Sequence, residues 1–310
     1  MSSLRLVCRG TWGGQPGVLS AARVQEICDR FTAGRGSAVS PASGPLCYGG
    51  ETSCLELVVG NHGRCVLDAG TGFRMVTWSE DDEVVHLFLS HLHVDHVLGL
   101  MLNGSLWTGA LRVVVHAPKH PRGSLPRLLD ALFQPPFWPV SLRMLGERLR
   151  CVEHDPLKAE VAVVFGDGSL LHARAERVAH TDLAVAWRLD HEGRSVVYAP
   201  DREAARCDGK RFARFAAGAA VLVHDAQYLP EEYPRYEGWG HSTYEDAVRA
   251  ALDAGVDQLL LWHHAHDRGY DALEHLGERA RLYMEAEAAR RGQPPVPTRI
   301  AYDGLVLTVP

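Results

Sequence analysis

Along the chain, short runs of β-branched residues and leucine alternate with longer stretches in which apolar positions fall three and four apart. Ten runs read as strands, over 4–7, 53–59, 64–67, 84–89, 111–115, 161–164, 195–198, 220–223, 259–262 and 304–309. Between them, Val24, Ile27, Cys28 and Phe31 mark one stripe of a helix over 21–31. Ser242-Thr243-Tyr244-Glu245 is a capping-box pattern that opens a helix through Ala254, with Gly255 suited to its C-terminal cap. A last, long helix is expected over about 271–291. Strands and helices interleave from end to end, which predicts an α/β chain with sheet inside and helices outside, in one domain of all 310 residues. Two stretches break the pattern. Residues 34–50 form a small-residue loop, and 117–145, with "HPRGSLPRLLDALFQPPFWPV", reads as a lid or insertion. Its Phe133, Phe137 and Trp138 suit stacking a base or closing over a site as well as they suit core or a dimer surface.

Composition narrows the partners. The chain is 46% hydrophobic and 23% charged, ordinary for a globular protein. A net charge of -6 argues against a broad basic face for nucleic acid and leaves only a local patch open. The apolar segment before Arg9 is too short for a secretory leader or a membrane span, so a cytoplasmic location is expected, with no membrane partner. Seven cysteines with no C-x-x-C pair suggest neither a disulfide framework nor a thiolate zinc site, and most are expected to be small buried hydrophobes.

The chemistry concentrates in "VVHLFLSHLHVDHVLGL", residues 84–100, where an apolar strand ends at His91, His93, Asp95 and His96. His91 and His93, two apart in extended backbone, point the same way, and Asp95 and His96 then begin a helix anchored by Val97, Leu98, Leu100 and Met101. Two imidazoles aimed at one ion, with a carboxylate and a third imidazole aimed at a second, suit zinc, while manganese and iron accept the same donors.

"HLHVDH" resembles the H-x-H-x-D-H signature of the metallo-β-lactamase superfamily. Further segments resemble that family's later motifs in order: "RVAHTDLAVAWRLD" with His180, "SVVYAPDRE" with Asp201 and "LLLWHHAHD" with His263. The resemblance runs over residues 4–309 and implies a four-layer αββα sandwich with two divalent metal ions. By it, His91, His93 and His180 hold one ion, Asp95, His96 and His263 the other, and Asp201 bridges them. Taken alone, Asp201 also fits a helix N-cap. Asp68, in "VLDAGTGFR", would orient a ligating histidine or simply make a turn. His264 is expected to face away from the ions, and His266 has no assigned place. Glu51 and Ala265 depart from the residues common in the family, which bears on the substrate more than on the metals.

"GWGHSTYEDA" is similar to the H-S-T segment of the tRNA 3′-end endonucleases and related phosphodiesterases, whose histidine faces the scissile phosphate. Here it is His241, with Asp225 of "VLVHDAQY" placed to keep it protonated. His241, Asp225 and Asp95 are therefore the catalytic candidates of a metal-dependent phosphodiesterase that uses water acidified between two ions. No basic, glycine-rich arm for gripping a folded RNA is found, so a small or cyclic nucleotide-type phosphodiester is expected rather than structured RNA. Acyl hydrolysis of a lactone, thioester or β-lactam is the alternative, followed by a non-hydrolytic nucleotide or metal sensor. The family commonly dimerises, which leaves a homodimer open.

Overall fold

A computed structural model describes residues 3–17, 21–30, 45, 47–60, 63–77, 84–109, 111–158 and 160–309. The first sheet begins with strands β1 (Leu4–Gly10), β2 (Cys54–Val59), β3 (Gly63–Leu67), β4 (Val85–Phe88), β5 (Val113–Pro118) and β6 (Leu149–His154). The second holds β7 (Glu160–Val164), β8 (Leu170–Val178), β9 (Ala184–His191), β10 (Arg194–Ala199), β11 (Val221–Asp225), β12 (Leu259–Trp262) and β13 (Thr298–Ile300). Strand β14 (Val306–Thr308) then returns to the first sheet beside β1. Each sheet has seven strands among the described residues, in the orders β14-β1-β2-β3-β4-β5-β6 and β13-β12-β11-β10-β9-β8-β7. Both are mixed: antiparallel strands on one side, and a parallel set on the other, β3 to β6 in the first sheet and β10 to β13 in the second.

The inner faces pack on each other through Leu55, Leu57, Leu67 and Phe88 from one sheet and Trp187, Leu189, Val223, Leu260 and Trp262 from the other. Outside the first sheet lie the short helices α2 (Val94–Val97), α3 (Gly99–Leu102), α4 (Gly104–Thr108) and α5 (Leu125–Leu132); α1 (Ala21–Arg30) precedes them in the chain. Outside the second lie α6 (Gly209–Ala216), α7 (Tyr244–Ala254) and α8 (Tyr270–Arg291). The result is the expected four-layer αββα sandwich. No helix of the described residues is long and apolar enough to cross a membrane.

Several local expectations need correction. Helix α1 forms, but Val24 and Cys28 are exposed, since a few apolar side chains among charged ones do not compel burial, and Phe31 lies outside the described residues. Most of the loop expected over 34–50 lies outside them too. Only Cys8, Cys54 and Cys65 are buried; Cys28 is exposed and the other three are intermediate. Thr243, not Ser242, caps α7, in a reciprocal capping box with Asp246. Ser242 is instead buried, donating to Arg202 O and accepting from Ala204 N at 3.0 Å. Within 117–145, Phe133 is core, Trp138 packs against the same cluster, and Phe137 is 83% exposed.

Candidate metal centre

Most of the site-forming side chains lie beyond the C-terminal ends of parallel strands in both sheets, where such layered folds leave a crevice, whereas His180 follows the antiparallel strand β8. After β4 the chain turns through Ser90 into α2. Asp68, just past β3, sits below this turn and accepts from Ser90 N (2.6 Å), Ser90 Oγ (2.7 Å), Tyr198 Oη (3.1 Å) and His96 Nδ1 (2.7 Å). Asp68 adopts φ +59°, an uncommon conformation that aims its carboxylate back under the turn. It is buried, and it fixes both the backbone that delivers His91 and the ring of His96.

The predicted ligands form two groups of ligand-type atoms, the members of each within 4.8 Å of one another, His91, His93, His180 and Asp201 in one and Asp95, His96 and His263 in the other; a third group of the same kind, Asp201, His241 and His263, overlaps both. All seven side chains singled out by the sequence therefore converge. Asp201 stands between the groups. Its Oδ2 lies 3.5 Å from His91 Nε2 and 3.4 Å from His180 Nε2, while its Oδ1 lies 3.2 Å from His96 Nε2 and 3.1 Å from His263 Nε2. It caps no helix, because the next helical turn begins only at Ala204.

The outward ring nitrogens are occupied. His180 Nδ1 donates to Gly240 O (2.9 Å), His263 Nδ1 to Gln227 Oε1 (2.7 Å) and His96 Nδ1 to Asp68. In the neutral rings each Nε2 is then a bare lone pair facing the centre. His96 Nε2 and His263 Nε2 face each other at 3.4 Å, and each lies 3.4 Å from Asp95 Oδ2. Acceptors packed this closely need a cation among them. His91 Nε2 and Asp201 Oδ1 are buried without a hydrogen-bond partner, as metal-ligating atoms would be. The nitrogen and oxygen donor set thus fits divalent metal.

Electrostatics agree. Burial opposes charge on His96, yet Asp201, Asp95 and Asp68 outweigh it and hold its pKa well above the usual histidine value: the carboxylates draw positive charge to this ring, a proton that a bound metal ion would displace. Burial also opposes charge on Asp201, but His263, His96 and His91 keep its carboxyl well below the usual range. His91, His93 and His180 are pushed down, chiefly by burial, and stay neutral as ligands must.

His241 sits against both groups, its ring 4.7 Å from His263 and stacked on it, and 5.2 Å from His180. Its Nδ1 donates to Asp225 Oδ2 at 2.8 Å. Burial alone would lower its pKa, but the charge and hydrogen bond of Asp225 raise it to about 9. His264 turns away, its Nε2 donating to Ala301 O at 2.8 Å, and His266 is exposed. Glycine is required twice here: a Cβ on Gly13 would fall 2.1 Å from His263 Cε1, and one on Gly240 2.1 Å from His180 Nδ1. The sequence reading missed Gln227, which holds His263, and Glu203, which accepts from Gly238 N and Gly240 N. Their only signal was their position two residues beyond Asp225 and Asp201. Beside His91 and His93 opens a cavity of about 360 Å³ walled by Leu128, Leu129, Leu132 and Leu183, with His120, Arg122 and Asp182 at its polar side. Leucines of α5, rather than the aromatics of 117–145, face this cavity.

Comparison with known proteins fits this geometry. A family described as the beta-lactamase superfamily domain matches residues 64–264. A protein named Ribonuclease Z from Ignicoccus hospitalis is 32% identical over 266 residues, covering 72% of this chain and 85% of its own. The metallo-beta-lactamase fold protein YhfI of Bacillus subtilis superposes with a TM-score of 0.66 at 16% identity, covering 99% of this chain and 100% of that one. The short form of human tRNase Z superposes with a TM-score of 0.58 at 17% identity, covering 99% of each chain. From the matched family and these likenesses together, the chain belongs to the metallo-β-lactamase superfamily of metal-dependent hydrolases.

Proposed function

We propose that this protein is a dinuclear metal-dependent phosphodiesterase acting on a small or cyclic nucleotide-type phosphodiester. The observation that carries the reading is the His241–Asp225 pair, 2.8 Å apart and set against both groups of ligand atoms. Hydrolysis of an acyl bond at the metals has no need of such a pair. His91, His93 and His180 would hold one ion, Asp95, His96 and His263 the other, and Asp201 would bridge them. When bound, two divalent ions, zinc by preference, supply charge neutralisation for a phosphodiester and acidify a water. The chain's own residues do the rest. Asp225 keeps His241 protonated, and His241 delivers its proton to the departing alkoxide oxygen. Asp68, Gln227 and Gly240 O fix the tautomers of His96, His263 and His180, so that each ring presents a lone pair without reorganising. Gly14 N donates to Asp95 Oδ2 at 2.7 Å and steadies that carboxylate.

A second reading, cleavage of an RNA strand, is favoured by the name Ribonuclease Z carried by relatives. The net charge of -6 weighs against gripping a large folded polyanion and keeps the smaller diester first. The test is metal analysis of the purified protein, followed by turnover of bis(p-nitrophenyl) phosphate, a lactone and a β-lactam. The phosphodiester is expected to be preferred, with activity lost to a chelator and restored by zinc. Preference for either acyl substrate overturns the proposal.

A further inference from the structure

Beside His241 the chain presents a large aromatic surface that the mechanism does not use. Trp239 is 60% exposed, yet its backbone is fixed on both sides: buried Glu203 accepts from Gly238 N (2.6 Å) and Gly240 N (3.0 Å), and also from Tyr233 Oη (2.8 Å). Gly238 and Gly240 both take positive φ, 87° and 92°, which closes the turn tightly around the tryptophan. Tyr236 meets the indole edge-on at 5.5 Å and stacks on Tyr228 at 4.5 Å, and Tyr228 in turn lies 5.9 Å from the His241 ring. The indole is thus joined through packed rings to the catalytic candidate.

A cation lies on the same turn. A Cβ on Gly238 would come 3.0 Å from Arg206 Nη1, whereas Gly240 packs directly on His180. Arg206 is exposed, has no carboxylate partner among the described residues, and lines a cavity of about 320 Å³ in which Arg177, Arg202, Arg211 and His180 outnumber Glu176, Asp182 and Asp208. A rigid π-face beside an uncommitted guanidinium matches a base with its sugar phosphate, because bases stack on aromatic faces and guanidinium groups pair with phosphate oxygens.

We propose that Trp239 and Arg206 form a nucleotide subsite next to His241, in which a nucleobase stacks on the indole and Arg206 faces its phosphate. The subsite rests on the phosphodiesterase reading and narrows the substrate to diesters that carry a base on this side. Calorimetric titration of the metal-loaded protein with adenosine 5′-monophosphate and with ribose 5-phosphate tests it without any turnover. The base-bearing compound should bind roughly five- to a hundredfold more tightly. Trp239→Ala should erase that difference, Trp239→Phe should keep most of it, and Arg206→Gln should weaken both compounds by the same factor. Equal affinities in the unaltered protein, or a preference that survives Trp239→Ala, overturns the subsite. Failure of the phosphodiesterase reading shows separately, as absent turnover of bis(p-nitrophenyl) phosphate.

Discussion

The two sheets supply the same centre in different ways. The first presents His91, His93, Asp95 and His96 from one turn after β4, while the second supplies His180, Asp201, His241 and His263 from four separate segments. In the first, local backbone geometry and Asp68 set the positions. In the second, they depend on the register of β10, β11 and β12 and on partners such as Gln227, Glu203 and Asp225. The difference teaches that one half of the site is laid out almost as a unit, and that the other half, assembled over distance, carries the group suited to proton transfer.

The largest effect expected from breaking this contrast is on His241. Its change to Ala should lower kcat by about 10²- to 10⁴-fold with metal content intact; turnover equal to that of the parent would reduce the second sheet to a purely binding role. Next comes metal affinity, read by competition with a chromophoric chelator. Asp68→Asn should weaken it by about 10- to 100-fold, and Gln227→Leu by less, because Asp68 orders the whole turn after β4 and Gln227 one ring. Asn tolerates the positive φ at this position, so the fold should survive. Equal losses would erase the contrast between a unit and an assembly.

The pH profile sharpens it further. His241 must be protonated to act as the acid, so on the alkaline side kcat should fall as the pH rises through about 9. Asp225→Asn should move the limb downward, and a limb that stays in place would assign it to another group. The same raised pKa contributes stability fully below about pH 6.5, a contribution lost as the pH rises through about 9. The smallest expected effects compare two helix caps. Asn103, buried in the first half, accepts from Leu106 N and donates to Phe73 O and Val76 O, so Asn103→Ala should cost about 1–3 kcal/mol. Thr243→Ala, in the second half, should cost about 1 kcal/mol. Urea melts of the two variants check the order.

The same contrast governs what the sequence made legible. "HLHVDH" is compact enough that residue types and spacing alone point to metal, and the apolar run before it marks β4. His180, Asp201 and His263 have ordinary neighbours, and only the family resemblance singled them out. The α/β layering and the ten strands with β-branched or leucine runs were readable, although β6, β8, β9 and β13 were not. β8 and β9 interleave Arg, Glu, His and Ala with their apolar positions, which hides the strand signal. β6 and the three-residue β13 lie at sheet edges, where fewer positions must be apolar. The aromatic surface near the site was sought in 117–145 but lies at Trp239, because Phe133 was needed by the core and the exposed indole depends on Glu203, 36 residues earlier in the chain.

His91, His96, Asp201 and His263 are almost wholly enclosed, each at most 3% exposed, with Gly13 pressed against the His263 ring, while His93 borders the cavity beside them. An ion held among them would be reached only from that side, by the opening through which a substrate would enter, so a bound substrate would also slow the exchange of the ion. Since affinities of such donor sets rise along the divalent series toward copper, the metal found in the isolated protein would reflect the ions its surroundings made available as well as the preference of the donors.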